Sequence, residues 1–261
     1  MNTKYLITSI PAAIVCSTAI CSCGVQIQLE SAMPAEVNFG RNSRIMFESC
    51  ADTDEAEYIN SYLWDLMEKD GYYTPCGDGC SSAKATISTE AYISSQTHKT
   101  QNGTYTTYEL HATVAIGNAY RRSFNTSVYK DSTGNLDTGS KCRAIARAVM
   151  EDITPQSYTY YERVHGNDEN PYVEQAAEQC AAGNWDKGKS LALKAIEKNP
   201  NEAEAYFTLG LYERNKMNYS KSNQYFKKAY EINQDSKYSE AIENNAILKK
   251  NEDAVRKQLN N

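Results

Sequence analysis

Residues 183–200 read Gly-Asn-Trp-Asp-Lys-Gly-Lys-Ser-Leu-Ala-Leu-Lys-Ala-Ile-Glu-Lys-Asn-Pro, and residues 217–234 read Met-Asn-Tyr-Ser-Lys-Ser-Asn-Gln-Tyr-Phe-Lys-Lys-Ala-Tyr-Glu-Ile-Asn-Gln. Laid over each other they share one grammar. Trp185, Gly188, Ala195 and Pro200 recur 34 residues later as Tyr219, Ser222, Ala229 and Gln234. Upstream, Tyr206 and Leu209-Gly210 face Gln175-Ala176 at the matching positions. In each copy an aromatic opens the second helix, and small residues stand where two helices must approach closely. Ala182 to Asp186 forms the internal turn, and Asn199-Pro200-Asn201 breaks one unit from the next. A unit of this length is one helical hairpin, which buries its apolar face by stacking on the next copy.

This pattern resembles the tetratricopeptide repeat, and the likeness covers residues 170–235. It divides residues 170–261 into units 169–202 and 203–236, with residues 236–258 expected as one more polar helix that caps the stack. The resemblance implies a concave face, lined by first helices, that holds a peptide or a helix. Tyr206, Tyr212, Glu213 and Asn215 are the candidate partner contacts there. A groove this short can equally pack against the amino-terminal part or a second copy.

Working toward the amino terminus, the period changes. Arg44 to Phe47 reads as a buried strand. Ala56, Ile59, Leu63, Leu66 and Met67 then recur at helical spacing, with Thr53 or Asp54 as cap and Gly71 just past the end. Lys84–Thr97 and Thr104–Gly117 alternate as strands around Gln101-Asn102-Gly103, a hairpin signal, and Arg121–Tyr129 adds a third strand. Ala144, Ile145, Ala148, Val149 and Ile153 mark a second helix, stopped by Pro155. The expected fold class is α+β: a small α/β sandwich over residues 41–165 (strand, helix, three-strand meander, helix), then the all-α repeats. Met33-Pro34-Ala35-Glu36-Val37, Lys69-Asp70-Gly71-Tyr72-Tyr73, Asp152-Ile153-Thr154-Pro155 and Tyr161-Glu162-Arg163 together resemble the amino domains of bacterial envelope lipoproteins. The related types are the curli-secretion lipoprotein and the penicillin-binding-protein activators.

The start of the chain supplies an address. Lys4 precedes a mainly apolar run from Tyr5 to Ile20 that ends in Ile20-Cys21-Ser22-Cys23. This fits a bacterial lipoprotein signal, with residues 1–22 removed and Cys23 lipidated. Val15 before Cys16 and Ile20 before Cys21 suit the peptidase less well than Ser22 before Cys23. Thr8, Ser9, Pro11, Ser17 and Thr18 dilute the run below what a membrane span needs. Gly24, rather than Asp, follows the cysteine, as in lipoproteins sent to the outer membrane and facing the periplasm. Residues 23–40 then read as a lipidated tether and lead-in.

In an oxidising compartment the remaining cysteines are disulfide candidates. Cys76-Gly-Asp-Gly-Cys80 can close a short bridge or, less naturally for its spacing, hold a metal. Cys50 and Cys142 form the second candidate pair, and Cys180, among alanines, reads as a buried thiol. The net charge of −6 with no basic stripe argues against nucleic acid and anionic lipid as direct partners. His98, His111 and His165 are scattered, Gly77 and Gly79 lie between cysteines without a phosphate-loop Lys, and Arg121-Arg122 reads as a solvated strand end. No catalytic, metal or cofactor signature emerges. The expected role is that of a non-enzymatic, lipid-anchored envelope scaffold that binds protein partners and touches the bilayer through Cys23. Its rivals are a subunit of a curli-type outer-membrane export pore and an envelope hydrolase. Self-association is compatible with either envelope role.

Overall fold

The computed structural model describes residues 24–48 and 52–260; the expected signal segment (residues 1–22), Cys23 and Cys50 lie outside the described residues. Within them the chain is mixed α/β. The amino-terminal body holds a five-stranded sheet of β2 (Arg44–Phe47), β3 (Thr74–Cys76), β4 (Ala85–Thr100), β5 (Gly103–Ile116) and β6 (Tyr120–Val128). Its strand order is β3-β2-β4-β5-β6; β2 runs parallel to β3 and β4, and β4-β5-β6 form an antiparallel meander.

Helices α1 (Asp54–Asp70) and α2 (Gly139–Ile153) cover one face of this sheet. The Thr53 hydroxyl accepts from the Ala56 N–H (3.3 Å), and Gly71, at φ +70°, ends α1 by donating its N–H to the Met67 carbonyl. Both devices satisfy backbone groups that a helix end leaves unpaired. Ile59, Leu63 and Met67 of α1 and Val149 and Ile153 of α2 meet Ile45, Ile87, Leu110, Val114 and Ile116 in a sealed core. The short edge strand β3 was not foreseen.

The β4–β5 hairpin turns at Gln101-Asn102, with Thr100 opposite Gly103 and Gly103 at φ +135°, a value that favours glycine. β6 reaches along β5 only as far as Tyr108, and β2 touches β4 only at residues 85–87. The outer half of the hairpin therefore projects as an unsupported two-stranded arm.

A second sheet replaces the expected tether. Residues Val25–Met33 form β1, which pairs antiparallel with β7 (Gln156–Val164), from Val25 opposite Val164 to Met33 opposite Gln156. The Val-Gln-Ile-Gln-Leu-Glu order already alternates apolar and polar residues, as a half-buried strand does. The reading as lead-in failed because the pairing strand lies more than a hundred residues away.

Helices α3 (Tyr172–Ala181), α4 (Trp185–Lys198), α5 (Ala203–Asn215), α6 (Tyr219–Ile232) and α7 (Ser236–Asn260) follow in series, each packed on its neighbour. The close approaches fall at equivalent places in the two hairpins. A Cβ on Gly188 would lie 2.3 Å from Cys180 Sγ and 2.9 Å from the Ala176 carbonyl oxygen. In the second hairpin a Cβ on Gly210 would lie 2.2 Å from the Phe226 ring, while Ser222 Oγ donates to the Gly210 carbonyl (2.8 Å). The α3–α4 turn uses Gly183 at φ +78°, and its counterpart 34 positions on, Met217, adopts φ +59°.

The expected polar capping helix does more than cover α6. Near its carboxyl end, Gln258 Oε1 accepts from the Ala35 N–H and its Nε2 donates to the Ala35 carbonyl, both at 3.0 Å. The Tyr72 hydroxyl donates to the Gln258 carbonyl (3.1 Å), and Leu259 packs against the core of the α/β body. One helix thus spans from the helical array to the amino-terminal body.

Candidate functional site

The face of the array made by α3, α5 and α7 is where a docked peptide was expected, and the protein fills it with its own β1–β7 ribbon. Ile27, Leu29 and Val164 are buried there with Val173, Ala177, Phe207, Leu211 and Tyr238. Alternation points Ile27, Leu29 and Ser31 of β1, and Tyr158, Tyr160 and Glu162 of β7, toward the helices.

Two of the four residues expected to contact a partner are instead buried and held by other side chains of the helical array. Tyr212 is 4% exposed; its hydroxyl donates to Asp186 Oδ1 (2.7 Å), and Lys189 and Lys216 sit over its ring. That hydroxyl, then Lys216, holds the Asp186 carboxyl below its ordinary range. Glu213 is buried, paired with Lys221 at 2.8 Å and accepting from Asn218 Nδ2 at 3.1 Å. Both side chains are engaged by neighbouring helices and turns. Tyr206 is partly buried against the ribbon-side core, and Asn215 alone is exposed, at the end of α5. The four do not form one docking set.

Between those residues stands Arg214, which the sequence reading passed over. Its side chain is 2% exposed and donates to Glu162 Oε1 (2.5 Å), Asn245 Oδ1 (2.6 Å) and the Ala241 carbonyl (2.7 Å), with its guanidinium 4.8 Å from the Phe226 ring centroid. It ties β7, α5, α6 and α7 together. A buried guanidinium is tolerated only when its donors are paired in this way. Arg214 stands in the last turn of α5, between Glu213 and Asn215-Lys216, where a basic residue reads as an ordinary solvated helix end, so no local signal marked it.

The five-stranded sheet leaves its other face open. On it, His111 lies between Ser94 and Asn125, both at 2.8 Å. Asn125 Oδ1 accepts from the Nδ1 side of the ring, and Nε2 shares a hydrogen bond with the Ser94 hydroxyl. Tyr92 stacks on His111 at 4.8 Å, and His98 stacks on Tyr105 at the same distance further out on the arm. Ser94, His111 and Asn125 resemble a catalytic relay in connectivity, but they stand on three adjacent paired strands. The backbone N–H groups that would stabilise an oxyanion are engaged in the strand ladders there. The arrangement is a cross-strand polar ladder.

Cys76 and Cys80 are bonded, with Cα atoms 6.2 Å apart, and close the loop after β3. Cys142, expected to bridge Cys50, instead carries a free buried thiol 3.7 Å from the Glu55 carbonyl oxygen. Burial, then the charge of Glu55, pushes that thiol up to about 11. Cys180 is also free and buried, at the α3–α4 crossing, and burial pushes it up to about 12. Arg122 is engaged with Asp152 (2.5 Å), which also accepts from the Tyr120 hydroxyl (2.7 Å). A cleft of about 310 Å³ opens between Arg41, Asp70, Tyr72, Gln156 and Leu259, where ribbon, α1 and α7 meet. Among the described residues no three His, Cys, Asp or Glu side chains gather as a metal site, and no helix is long and apolar enough to cross a membrane. No protein-family model matches this chain, and no curated protein matches it either.

Proposed function

We propose that this protein is a non-enzymatic, lipid-anchored scaffold of the bacterial cell envelope. In this reading Cys23 carries the acyl chains, and residues 170–261 are tetratricopeptide repeats capped by α7. The repeats hold the protein's own ribbon, and recognition passes to the open face of the five-stranded sheet and its arm. The observation that carries this is the pairing of a filled helical face with an unfilled sheet face. Ile27, Leu29 and Val164 occupy the one. On the other, Tyr92 and Tyr105 stay 58% and 53% exposed, each stacked on a histidine. Exposed aromatics with a polar edge, set among hydroxyl and amide groups, suit protein recognition. The partner is a protein of the envelope.

Two experiments test this. Cys23→Ala abolishes acyl labelling and membrane fractionation; unchanged fractionation removes the anchor. Photo-crosslinkers at positions 92 and 105 capture a discrete protein adduct in cells, whereas one at Tyr230 on α6 does not; equal yields at all three remove the sheet face as the recognition surface. A curli-type pore gains little support from the arm. Its outer strands present Thr97, Lys99, Thr104 and Thr106 where a barrel needs a lipid-facing apolar band.

A further inference from the structure

The anchor and the recognition surface stand at opposite ends of a rigid strut. Gly24, the residue after the lipidated cysteine, lies against the backbone of the opposite strand: a Cβ there would meet the Val164 carbonyl oxygen at 2.1 Å and the His165 Cα at 3.0 Å. Close packing is a sufficient reason for a glycine at position 24, independent of any sorting role. Val25 already pairs with Val164, so the ribbon begins two positions after Cys23 in the sequence.

From that end two elements run in parallel to the other. Each strand of the ribbon has nine residues, about 27 Å at strand rise. Helix α7 has 25 residues, about 37 Å long. The near end of α7 is fixed beside the ribbon start: Tyr238 and Lys237 donate to Glu204, whose other oxygen accepts from the His165 N–H. Its far end is fixed by the Gln258–Ala35 pair, two residues beyond the end of β1. The α/β body joins the ribbon only at this far end, through residues 34–43 and Thr154-Pro155.

We infer that the helical array with its ribbon is a stand-off: it meets the lipid surface end-on at the His165–Asn170 loop and holds the α/β body about 30 Å from the bilayer. This rests on the reading of Cys23 as the anchor. Little draws the long sides down onto lipid. The chain carries a net −6 even with Lys4 counted, which an anionic leaflet repels, and the exposed Met33, Tyr161, Leu193, Met217, Tyr230 and Ile247 are spread over the ribbon, three helices and a turn.

The test uses the full-length lipidated protein in vesicles of zwitterionic lipid doped with a headgroup-nitroxide lipid. A fluorophore is placed through Asp168→Cys at the near end or Lys257→Cys at the far end, with identically treated wild type as the labelling background. The near-end probe is expected to lose several-fold more fluorescence than the far-end probe. A flexible Gly/Ser insertion between Cys23 and Gly24 should reduce that contrast without releasing the protein from vesicles. Equal quenching of both probes in protein that floats with vesicles overturns the stand-off. Failure of the unsubstituted protein to float overturns the anchor instead, so the two outcomes are distinguishable.

Discussion

The five-stranded sheet lies under two helices drawn from its own stretch of chain, whereas the β1–β7 ribbon borrows three helices that follow it in sequence. A sheet with its own helical layer can seal one face and leave the other to solvent. An isolated two-stranded ribbon is marginal in water, and one with an apolar side such as Ile27, Leu29 and Val164 must have that side covered by another element. The same requirement that stabilises the ribbon closes the helical face to partners. The difference shows why the helical array has its α3-α5-α7 face covered while the α/β body keeps one sheet face open.

The largest expected effect breaks the borrowed sheet at its hub. Arg214→Met leaves Glu162 facing a core without its cation, a change that costs about 3–5 kcal/mol. Denaturant titration reads the loss. Amide exchange should localise it: β1 and β7 lose protection while β4 and β5 keep theirs. Equal loss in both sheets would show that they unfold as one unit.

Next come matched truncations in the two cores. Leu29→Ala in the ribbon and Leu110→Ala under α1 each delete a buried leucine, at about 3 kcal/mol apiece. Because the residues sit in separate cores, the double variant should be additive. A clear coupling energy would contradict the separation. Smaller again is Gly24→Ala. The backbone oxygen it meets cannot swing away as a side chain would, so about 2 kcal/mol is expected from displacing the end of the ribbon. A neutral result in a thermal melt would remove Gly24 as the clamp.

What was legible in the sequence follows from how local each signal is. Helix α1 announced both its ends, through Thr53 and Gly71, because caps act within a few residues. The β4–β5 hairpin announced itself through Gln101-Asn102-Gly103 because its strands are adjacent. The 34-residue recurrence of small residues was visible because helix crossing points such as Gly188 and Gly210 leave no room for a larger side chain. The β1–β7 pair was not, although Val25, Ile27 and Leu29 alternate correctly, since nothing local names a partner so far along the chain. The groove residues failed for the same reason. Tyr212 and Glu213 have the chemistry of a docking surface, and only the tertiary structure shows that Asp186 and Lys221 already hold them.

Each core also contains one free thiol, which allows the comparison to be made without touching a large side chain. Cys142 lies under α1 and Cys180 at the α3–α4 crossing, pushed from the ordinary 9.0 up to about 11 and about 12. A raised acid holds its proton longer in the folded chain than in the unfolded one. Below pH 9 both states are protonated and neither thiol affects stability. Above it the unfolded chain gives up protons that the folded chain keeps, so stability falls as pH rises, by about 1 kcal/mol per thiol at pH 10. Buried tyrosines raised above their ordinary 10.0, Tyr73 and Tyr120 among them, cost stability over the same range, so each thiol's share is read as the difference between its alanine variant and wild type. Between pH 9 and 10, Cys180→Ala should flatten the pH dependence of ribbon protection, and Cys142→Ala that of the five-stranded sheet. If either substitution flattens both, the two halves share one unfolding transition and the borrowed ribbon is as well buried as the self-covered sheet.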